Sequence, residues 1–307
     1  MNVLLIGGNG FIGSHLTDIL LKNKHEVRIF DYSFEKYREK IKEVDYRISS
    51  LNNLSDLSEA LINIDIVYHL ASSSLPRTSN IDTTIDINEN LLPTLKLLDL
   101  MSKLNVKRIV YFSSGGAVYG TSNHSPTNEN NCLRPISSYG IIKLTIENYL
   151  KLYEKMFGIQ ALIIRPSNPY GPRQSHLISH GVINTFLTRI KENSEIIVYG
   201  NGSAIKDYIY ITDLVEACYM LSLVRNSGVY NIGYGEGTSI NDIIKIIAQI
   251  TKSTPQIVYK EFKEFDVQKI ILDITHLKSS INWTPKVSLI EGIQKQWNWI
   301  SSGSERK

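Results

Sequence analysis

Cysteine is scarce in this chain, which contains only Cys132 and Cys218 among its 307 residues. These two lack the spacing of metal ligands, and they cannot supply the disulfide framework of a small secreted domain. The sequence also lacks a basic segment and a cleavage site ahead of its first apolar run at residues 3–6, so a signal peptide is not predicted. We therefore expect a cytoplasmic protein with no metal site.

A surplus of charge is also missing, because 33 basic and 30 acidic residues leave a net charge of +3 at pH 7. So small a charge does not favour a nucleic-acid partner. No apolar stretch reaches the roughly 20 residues that a helix needs to span a bilayer. The composition, 42% hydrophobic and 21% charged, is that of a globular protein long enough for one large domain or two smaller ones.

Short apolar runs alternate with helical patterns in the first half of the chain. The predicted strands cover residues 3–6, 27–30, 64–70, 108–113 and 161–165. The predicted helices cover residues Phe11–Lys22, 84–103 and Ser138–Phe157. Strands that are apolar on both faces and separated by helices are typical of a parallel sheet covered on both sides. We predict the α/β fold class, with a doubly wound parallel sheet of the Rossmann type.

A glycine-rich loop, with Gly7, Gly10 and Gly13, follows the first predicted strand and opens the first predicted helix. In this context the glycines permit a tight turn, a close approach of the backbone to a pyrophosphate and close packing of the helix on the strand. The helix N-terminus then offers free N–H groups to the phosphates. We predict a dinucleotide site here, with Phe11 and Ile12 among its contacts.

Asp31 ends the second predicted strand, about 18 residues after Gly13. A carboxylate at this place accepts hydrogen bonds from the 2′- and 3′-hydroxyls of a ribose and repels a 2′-phosphate. The prediction is therefore NAD rather than NADP. The simpler alternative is a glycine turn and an acid that only caps a strand, but the strand–loop–helix context favours the cofactor.

Tyr139 and Lys143 are four residues apart and share a face if this segment is helical. A nearby ammonium, together with the positive nicotinamide ring, is expected to lower the pKa of the phenol, so that Tyr139 can remove the proton of a sugar hydroxyl. Lys143 would also hold the nicotinamide ribose. Ser113 and Ser114, about 25 residues earlier, could hold the substrate alcohol. This spacing also occurs by chance in helices, but the ordered set favours catalysis.

Turn-forming residues crowd residues 166–173 and mark a change in the rhythm of the chain. We predict an NAD-binding Rossmann domain at residues 1–166, which also includes about 204–232. Residues 167–307 are expected to form mainly a smaller, mixed α/β substrate-binding domain. Such a domain would lie over the carboxyl ends of the strands, where open parallel sheets bind their ligands.

Seven motifs in this order resemble the extended short-chain dehydrogenase/reductases, in particular the branch of nucleotide-sugar epimerases and dehydratases related to UDP-glucose 4-epimerase. These motifs are residues 7–13, 69–71, 112–120, 139–143, 165–173, 206–214 and 281–285, and the resemblance also includes Asp31. The resemblance covers nearly the whole chain. It implies NAD-dependent 4-epimerisation of a nucleotide sugar of the UDP-glucose or UDP-N-acetylglucosamine type, by transient oxidation at C4, for surface polysaccharide synthesis.

The resemblance also implies roles for individual residues. The further cofactor contacts that it implies are Leu70, Ala71, Ser72 and Pro166. The substrate contacts that it implies are Ser113, Ser114, Asn168, Arg173, Lys206 and Lys263. In the family, the helix equivalent to Ser138–Phe157 pairs with its twin in a second subunit, which implies a homodimer.

The chain departs from the family pattern at several positions. Gly115 stands where a catalytic serine or threonine is usual, so Ser114 is the first candidate for the hydroxyl role and Ser113 the second. Gly116 and Ala117 stand where dehydratases carry an acidic pair, which argues against a dehydratase and moderately against a decarboxylase. Lysine at 206 and 263 replaces an arginine of many relatives and loses its bidentate fork.

Three alternatives therefore stay open. The substrate could be a lipid-linked diphospho-sugar, for which altered diphosphate contacts would matter. The enzyme could be a net oxidoreductase or decarboxylase of a related nucleotide sugar. The chain could also be a non-catalytic NAD-sensing protein, in which Tyr139→Phe would change nothing.

Overall fold

The computed structural model describes residues 1–35, 37–73, 79–121, 125–174, 181–224, 226–261 and 267–303. Its strands are β1 (Asn2–Ile6), β2 (Glu26–Asp31), β3 (Val44–Ile48), β4 (Ile66–His69), β5 (Arg108–Phe112), β6 (Gln160–Pro166), β7 (Asn168–Tyr170), β8 (Ile196–Tyr199), β9 (Ile205–Tyr210), β10 (Gly228–Ile232), β11 (Gly237–Ser239), β12 (Ile257–Lys260) and β13 (Lys269–Ile270). Its helices are α1 (Phe11–Lys22), α2 (Leu54–Ala60), α3 (Thr83–Asp86), α4 (Leu92–Lys103), α5 (Ser138–Phe157), α6 (Val182–Lys191), α7 (Ile211–Leu223), α8 (Ile240–Thr251), α9 (Thr275–Ile281) and α10 (Leu289–Ser301).

The main sheet has seven strands in the order β10-β6-β5-β4-β1-β2-β3, and neighbouring strands are parallel throughout. Six of them follow the order typical of dinucleotide-binding folds, and β10 extends the sheet beyond β6. Val3 and Leu5 point into a core shared with α1 and α7, whereas Leu4 and Ile6 point into a core shared with α2, α4 and α5. Because both faces are covered, the predicted doubly wound α/β fold is confirmed.

A smaller sheet is built around β9, which pairs antiparallel with β11 and parallel with β7 and β13. A separate parallel pair is formed by β8 and β12. The helices α6, α8 and α10 pack against one another beside these strands. The predicted smaller mixed α/β part is therefore present, and β10 returns from it to the main sheet.

The helix predicted over residues 84–103 is interrupted. A π-helical segment, Ile87–Leu91, separates α3 from α4. Pro93 lies in the first turn of α4 and has no N–H, so it cannot donate the hydrogen bond that a continuous α-helix needs there. The predicted helical segment is therefore present over residues 83–103, with a π-helical stretch inside it.

The carboxyl ends of the central strands determine where a ligand can bind. The glycine loop follows β1, Leu70 follows β4, Ser113 follows β5, and β6 ends at Pro166. These positions lie side by side because β1, β4, β5 and β6 are consecutive in the sheet. Within the described ranges, no helix is both long enough and apolar enough to cross a membrane.

Candidate active site

The glycine loop lies directly against the chain that follows β4. Gly7 has φ +81°, and a side chain on it would place Cβ 2.8 Å from the backbone nitrogen of Ala71. A Cβ on Gly13 would lie 2.5 Å from the carbonyl oxygen of Gly7. The backbone N–H groups of Leu70 and Ala71 both donate to the carbonyl of Ile6, at 2.9 and 3.1 Å. The loop is thus a cradle of bare backbone, which fits a pyrophosphate.

Asp31 stands beside this cradle at the end of β2 and is 7% exposed. Its Oδ2 accepts a hydrogen bond from the Asn9 N–H at 3.0 Å, and its Oδ1 accepts one from the Ser33 N–H at 3.2 Å. These bonds fix a carboxylate next to the cradle, as a ribose diol requires. The residues present therefore fit NAD.

Tyr139 and Lys143 lie on the first turns of α5, whose N-terminus is held by neighbouring loops. Ser137 caps the helix by accepting the Gly140 N–H, and Ser79 Oγ accepts the Tyr139 N–H at 3.1 Å. The ammonium of Lys143 donates to the carbonyl of Phe112 at 2.9 Å and lies 5.5 Å from the centroid of the Tyr139 ring. The helical spacing thus brings the two groups together at the end of β5.

The two serines that precede α5 have different surroundings. The hydroxyl of Ser114 forms a hydrogen bond with the phenol of Tyr139. Ser113 is 4% exposed, and its hydroxyl donates to Glu147 Oε1 at 2.5 Å. Glu147 in turn pairs with Arg165 of β6. Ser114 is therefore the hydroxyl that accompanies Tyr139, while Ser113 supports a buried ion pair.

Burial is the largest influence on the pKa values of Tyr139 and Lys143. It raises the pKa of Tyr139 to about 12, an effect that the Ser114 hydrogen bond opposes and the Asp86 carboxylate reinforces. Burial lowers the pKa of Lys143 to about 8, against the opposing influence of Asp86 and Glu147. The lowering of the phenol's pKa that we expected from Lys143 and the nicotinamide ring together is not produced by the protein groups alone, because burial outweighs them. Ionisation of Tyr139 at neutral pH therefore requires a further positive charge near the phenol.

Gly115 has little room for a side chain. A Cβ there would lie 2.6 Å from Leu272 Cδ1 and 3.0 Å from the carbonyl oxygen of Pro166, which accepts the Gly115 N–H at 2.9 Å. At Gly116, by contrast, a Cβ would meet no atom of the described residues within 4 Å. The chain next to Ser114 is therefore tightly packed at one glycine and open at the next.

The other predicted residues are spread around this centre. Ser72 is exposed after β4, whereas Pro166 is buried at the end of β6. Asn168 Nδ2 donates to the carbonyl of Asp207 at 2.8 Å, and Arg173 pairs with Asp18 of α1 at 2.6 Å. Lys206 donates to the carbonyl of Val267. Lys263 lies outside the described residues.

Two acidic residues next to the pair were not singled out from the sequence. Glu147 lies four residues after Lys143 on α5, so helical periodicity alone could have indicated it. Asp86 is fully buried at the end of α3 and acts electrostatically on both Tyr139 and Lys143. Its proximity depends on the packing of two segments far apart in sequence, for which the residue pattern gave no signal.

Comparisons with known proteins agree with this geometry. The sequence profile of the NAD dependent epimerase/dehydratase family matches residues 3–233, about three quarters of the chain. This chain belongs to that family. The resemblance inferred from the motifs is therefore confirmed, and the predicted cofactor, NAD, is the cofactor of the family.

Three proteins that are similar to this chain illustrate the activities found among its relatives. A Methanocaldococcus jannaschii protein, provisionally named a UDP-glucose 4-epimerase, is 34% identical over 304 residues that cover 98% of this chain and 99% of the relative. The dTDP-4-dehydro-6-deoxyglucose reductase of Escherichia coli is 32% identical over 95% of both chains. The crystal structure of the Thermotoga maritima UDP-glucose 4-epimerase with UDP-glucose is 34% identical, covers 99% of both chains and has a TM-score of 0.93. The family member is thus an epimerase or a related enzyme.

Proposed function

We propose that this protein is an NAD-dependent 4-epimerase of a nucleotide-activated sugar of the UDP-glucose or UDP-N-acetylglucosamine type. The observation that carries the proposal is the cluster of Ser114, Tyr139 and Lys143 at the end of β5, beside a glycine cradle with Asp31 at its rim. The likeness to UDP-glucose 4-epimerases over 98% or more of the chain supports the same reaction. Synthesis of surface polysaccharide is the proposed use of the product.

The chain's own residues account for the proton transfers. Bound NAD supplies the ability to accept a hydride from a sugar carbon and to return it. Tyr139 removes the proton of the 4-hydroxyl, and Ser114 holds the same oxygen through its hydroxyl. The Lys143 ammonium stabilises the resulting phenolate. After the sugar has turned over, Tyr139 returns the proton to the 4-oxygen of the inverted centre.

The residues that follow Ser114 favour epimerisation over elimination or decarboxylation. Gly116 and Ala117 carry no acid, so no carboxylate from these positions can protonate or deprotonate a neighbouring sugar carbon. The space at Gly116 also leaves room for the sugar to turn within the site. A net reductase, such as the E. coli relative, would use the same Tyr139 and Lys143 but consume a reduced cofactor at every turnover.

The substrate anchor and the quaternary structure belong to the same proposal. Asn168, Arg173, Lys206 and Lys263 are proposed to hold the diphosphate, after Arg173 and Lys206 exchange their present protein partners for it. The outer face of α5 exposes Ile141, Leu152 and Met156 by 51%, 44% and 59%, and an apolar face of this kind suits pairing with a second copy.

The test is to incubate the protein with UDP-glucose, UDP-N-acetylglucosamine and the corresponding uronic acids, with catalytic NAD, and to follow the anomeric protons by NMR. We expect the C4 epimer of at least one sugar to reach a fixed equilibrium ratio while no NADH accumulates. Stoichiometric consumption of NADH with a 4-keto sugar would instead establish the reductase.

The matched control is Tyr139→Phe, which removes a single hydroxyl. It should lower turnover by at least about a thousandfold, in the upper part of the range for loss of a general base, and leave NAD affinity unchanged. If every soluble sugar is left unchanged by a protein that binds NAD, the nucleotide-sugar proposal fails. Lipid-linked diphospho-sugars would then be the next substrates to assay.

A further inference from the structure

Behind Tyr139 and Lys143 lies a buried carboxylate that the proposed reaction does not use. Asp86 is 0% exposed, ends α3 and adjoins the π-helical segment Ile87–Leu91, which packs against α5. Its Oδ1 accepts a hydrogen bond from Asn90 Nδ2 at 3.2 Å, whereas its Oδ2 has no hydrogen-bond partner among the described residues. Since a half-satisfied buried carboxylate costs free energy, its placement calls for a compensating role.

Asp86 is held in place by the loop that follows β4. Asn90, which donates to Asp86, accepts hydrogen bonds on its own Oδ1 from the N–H and the hydroxyl of Ser73, at 2.9 and 3.2 Å. Thr94, one turn later, donates to the carbonyl of Asn90 and bonds to the ring of His69. The carboxylate is therefore fixed relative to the strands that carry the cofactor cradle.

Asp86 acts electrostatically on Tyr139 and Lys143 of α5. The other titratable groups around this pair are Glu147 on α5, Tyr111 on β5 and His69 on β4. Burial, with a smaller effect of Lys143, lowers the pKa of His69 to about 3, so this ring is neutral. Burial raises the pKa of Tyr111 well above its ordinary value, so this phenol is neutral as well.

Glu147 is occupied by other partners. Its Oε2 pairs with Arg165 at 2.6 Å, and its Oε1 accepts the Ser113 hydroxyl at 2.5 Å. Within the described part of the chain, Asp86 has no such cation, and the positive charge that it faces is Lys143. The electrostatic influence of Asp86 on the active site is therefore not cancelled by an ion pair of its own.

We propose that Asp86 is a positioning residue whose buried carboxylate sets the charges of Lys143 and Tyr139. A negative charge here keeps the lysine an ammonium in a buried site and keeps the phenol neutral until further positive charge reaches it. Asp86 would thus prevent Tyr139 from ionising until NAD has bound. Only the kinetic part of the test below rests on the proposed function.

The direct test is a titration of the NAD-loaded protein by NMR, with ¹³C at the tyrosine Cζ and lysine Cε positions. The Tyr139 and Lys143 signals are assigned by their loss in Tyr139→Phe and Lys143→Met. Asp86→Asn removes the charge and can still accept the Asn90 bond. We expect both apparent pKa values to fall by about one pH unit, the size expected for one charge several ångströms away in a protein.

Matched variants separate this electrostatic effect from a structural one. Glu89→Gln removes an exposed carboxylate from the same π-helical segment and should leave both titrations unchanged, while Asp86→Glu should restore values close to the native ones. Asp86→Ser provides a second neutral variant in case Asp86→Asn does not fold. If a folded neutral variant titrates like the native protein, the proposal is overturned, whatever its thermal stability.

The kinetic readout is the pH profile of kcat/KM for epimerisation. With Asp86→Asn, both limbs should move to lower pH by about one unit, because the acid limb reports Tyr139 and the alkaline limb reports Lys143.

Failure of the proposed function and failure of the Asp86 proposal can be distinguished. If no sugar is epimerised, the NMR titration still decides the role of Asp86. If sugars are epimerised and the titration is unchanged, only the Asp86 proposal falls.

Discussion

Two completely buried carboxylates, Glu147 on the main sheet and Asp207 in the smaller sheet, are stabilised in different ways. Glu147, packed on the main sheet, pairs with the guanidinium of Arg165 at 2.6 Å. Asp207, in the smaller sheet, is held by neutral donors. These are the N–H groups of Tyr234, Gly235 and Leu272, at 2.9, 3.1 and 3.2 Å.

The difference separates the two regions in their response to pH. Burial opposes the charge on Arg165, but the hydrogen bonds and the charge of Glu147 outweigh this effect and raise the pKa of the guanidinium. Burial raises the pKa of Asp207 to about 6, because its backbone donors only partly offset the loss of hydration. The smaller sheet thus contains a buried carboxylate whose pKa lies in the mildly acidic range.

The largest effect is expected from breaking the ion pair with Glu147→Gln. This change leaves the Arg165 charge buried without its counter-ion, which typically costs about 3–5 kcal/mol of unfolding free energy. Urea denaturation followed by circular dichroism measures the loss. Glu154→Gln, a partly exposed position of the same helix, is the control. A loss below about 1 kcal/mol would mean that the pair does not stabilise this region.

A smaller, pH-dependent effect is expected at Asp207. Its folded pKa of about 6 lies above the ordinary value of 3.8, so the folded state binds the proton more tightly. The stability that this group contributes is complete below pH 3.8 and is lost as the pH rises to about 6, by up to about 3 kcal/mol.

The matching variant is Asp207→Asn, measured by urea denaturation at intervals from pH 4 to pH 8. The difference in unfolding free energy between the native protein and this variant should fall with rising pH in that window, and Glu59→Gln, an exposed site, should show no such trend. If this difference in unfolding free energy does not change with pH, the pKa of Asp207 is not raised into this window, and the predicted difference between Asp207 and Glu147 is wrong.

The smallest effect on folding is expected at the outer face of α5. Leu152→Glu combined with Met156→Glu places two charges on the exposed apolar stripe and should convert a dimer to a monomer in light scattering, with the free energy of unfolding of the chain itself changed by less than about 0.5 kcal/mol. Lys151→Glu, at an exposed neighbouring position, should leave the dimer intact. A native protein that is already monomeric would contradict the proposed pairing.

The sequence was informative wherever function depends on short-range spacing. The glycine loop, Asp31 and the Tyr139–Lys143 pair lie within single strand–loop–helix units, so their local pattern predicted their arrangement. The partners of Arg173 and Gly115 could not be predicted in this way. Asp18 is 155 residues from Arg173, and Leu272, which packs against Gly115, lies beyond β13, far from Gly115 in sequence.

The protonation states of Tyr139 and Lys143 could not be predicted from local sequence spacing either. The expectation that Lys143 and the nicotinamide ring together lower the pKa of Tyr139 left out the effect of burial. In the protein alone, burial raises this pKa, and burial depends on every segment packed around the phenol. Residue pattern therefore indicated the groups that we propose to react, while the direction of their pKa shifts required the folded structure.

The most direct test of the account uses a nucleotide sugar that carries deuterium at C4. Tyr139 moves only the hydroxyl proton in the proposed reaction, so the hydrogen on C4 should leave and return without exchange with water. We predict that the epimer keeps its deuterium at C4 in H₂O, with only catalytic NAD present. An epimer with protium at C4, formed from the deuterated sugar, would contradict the mechanism.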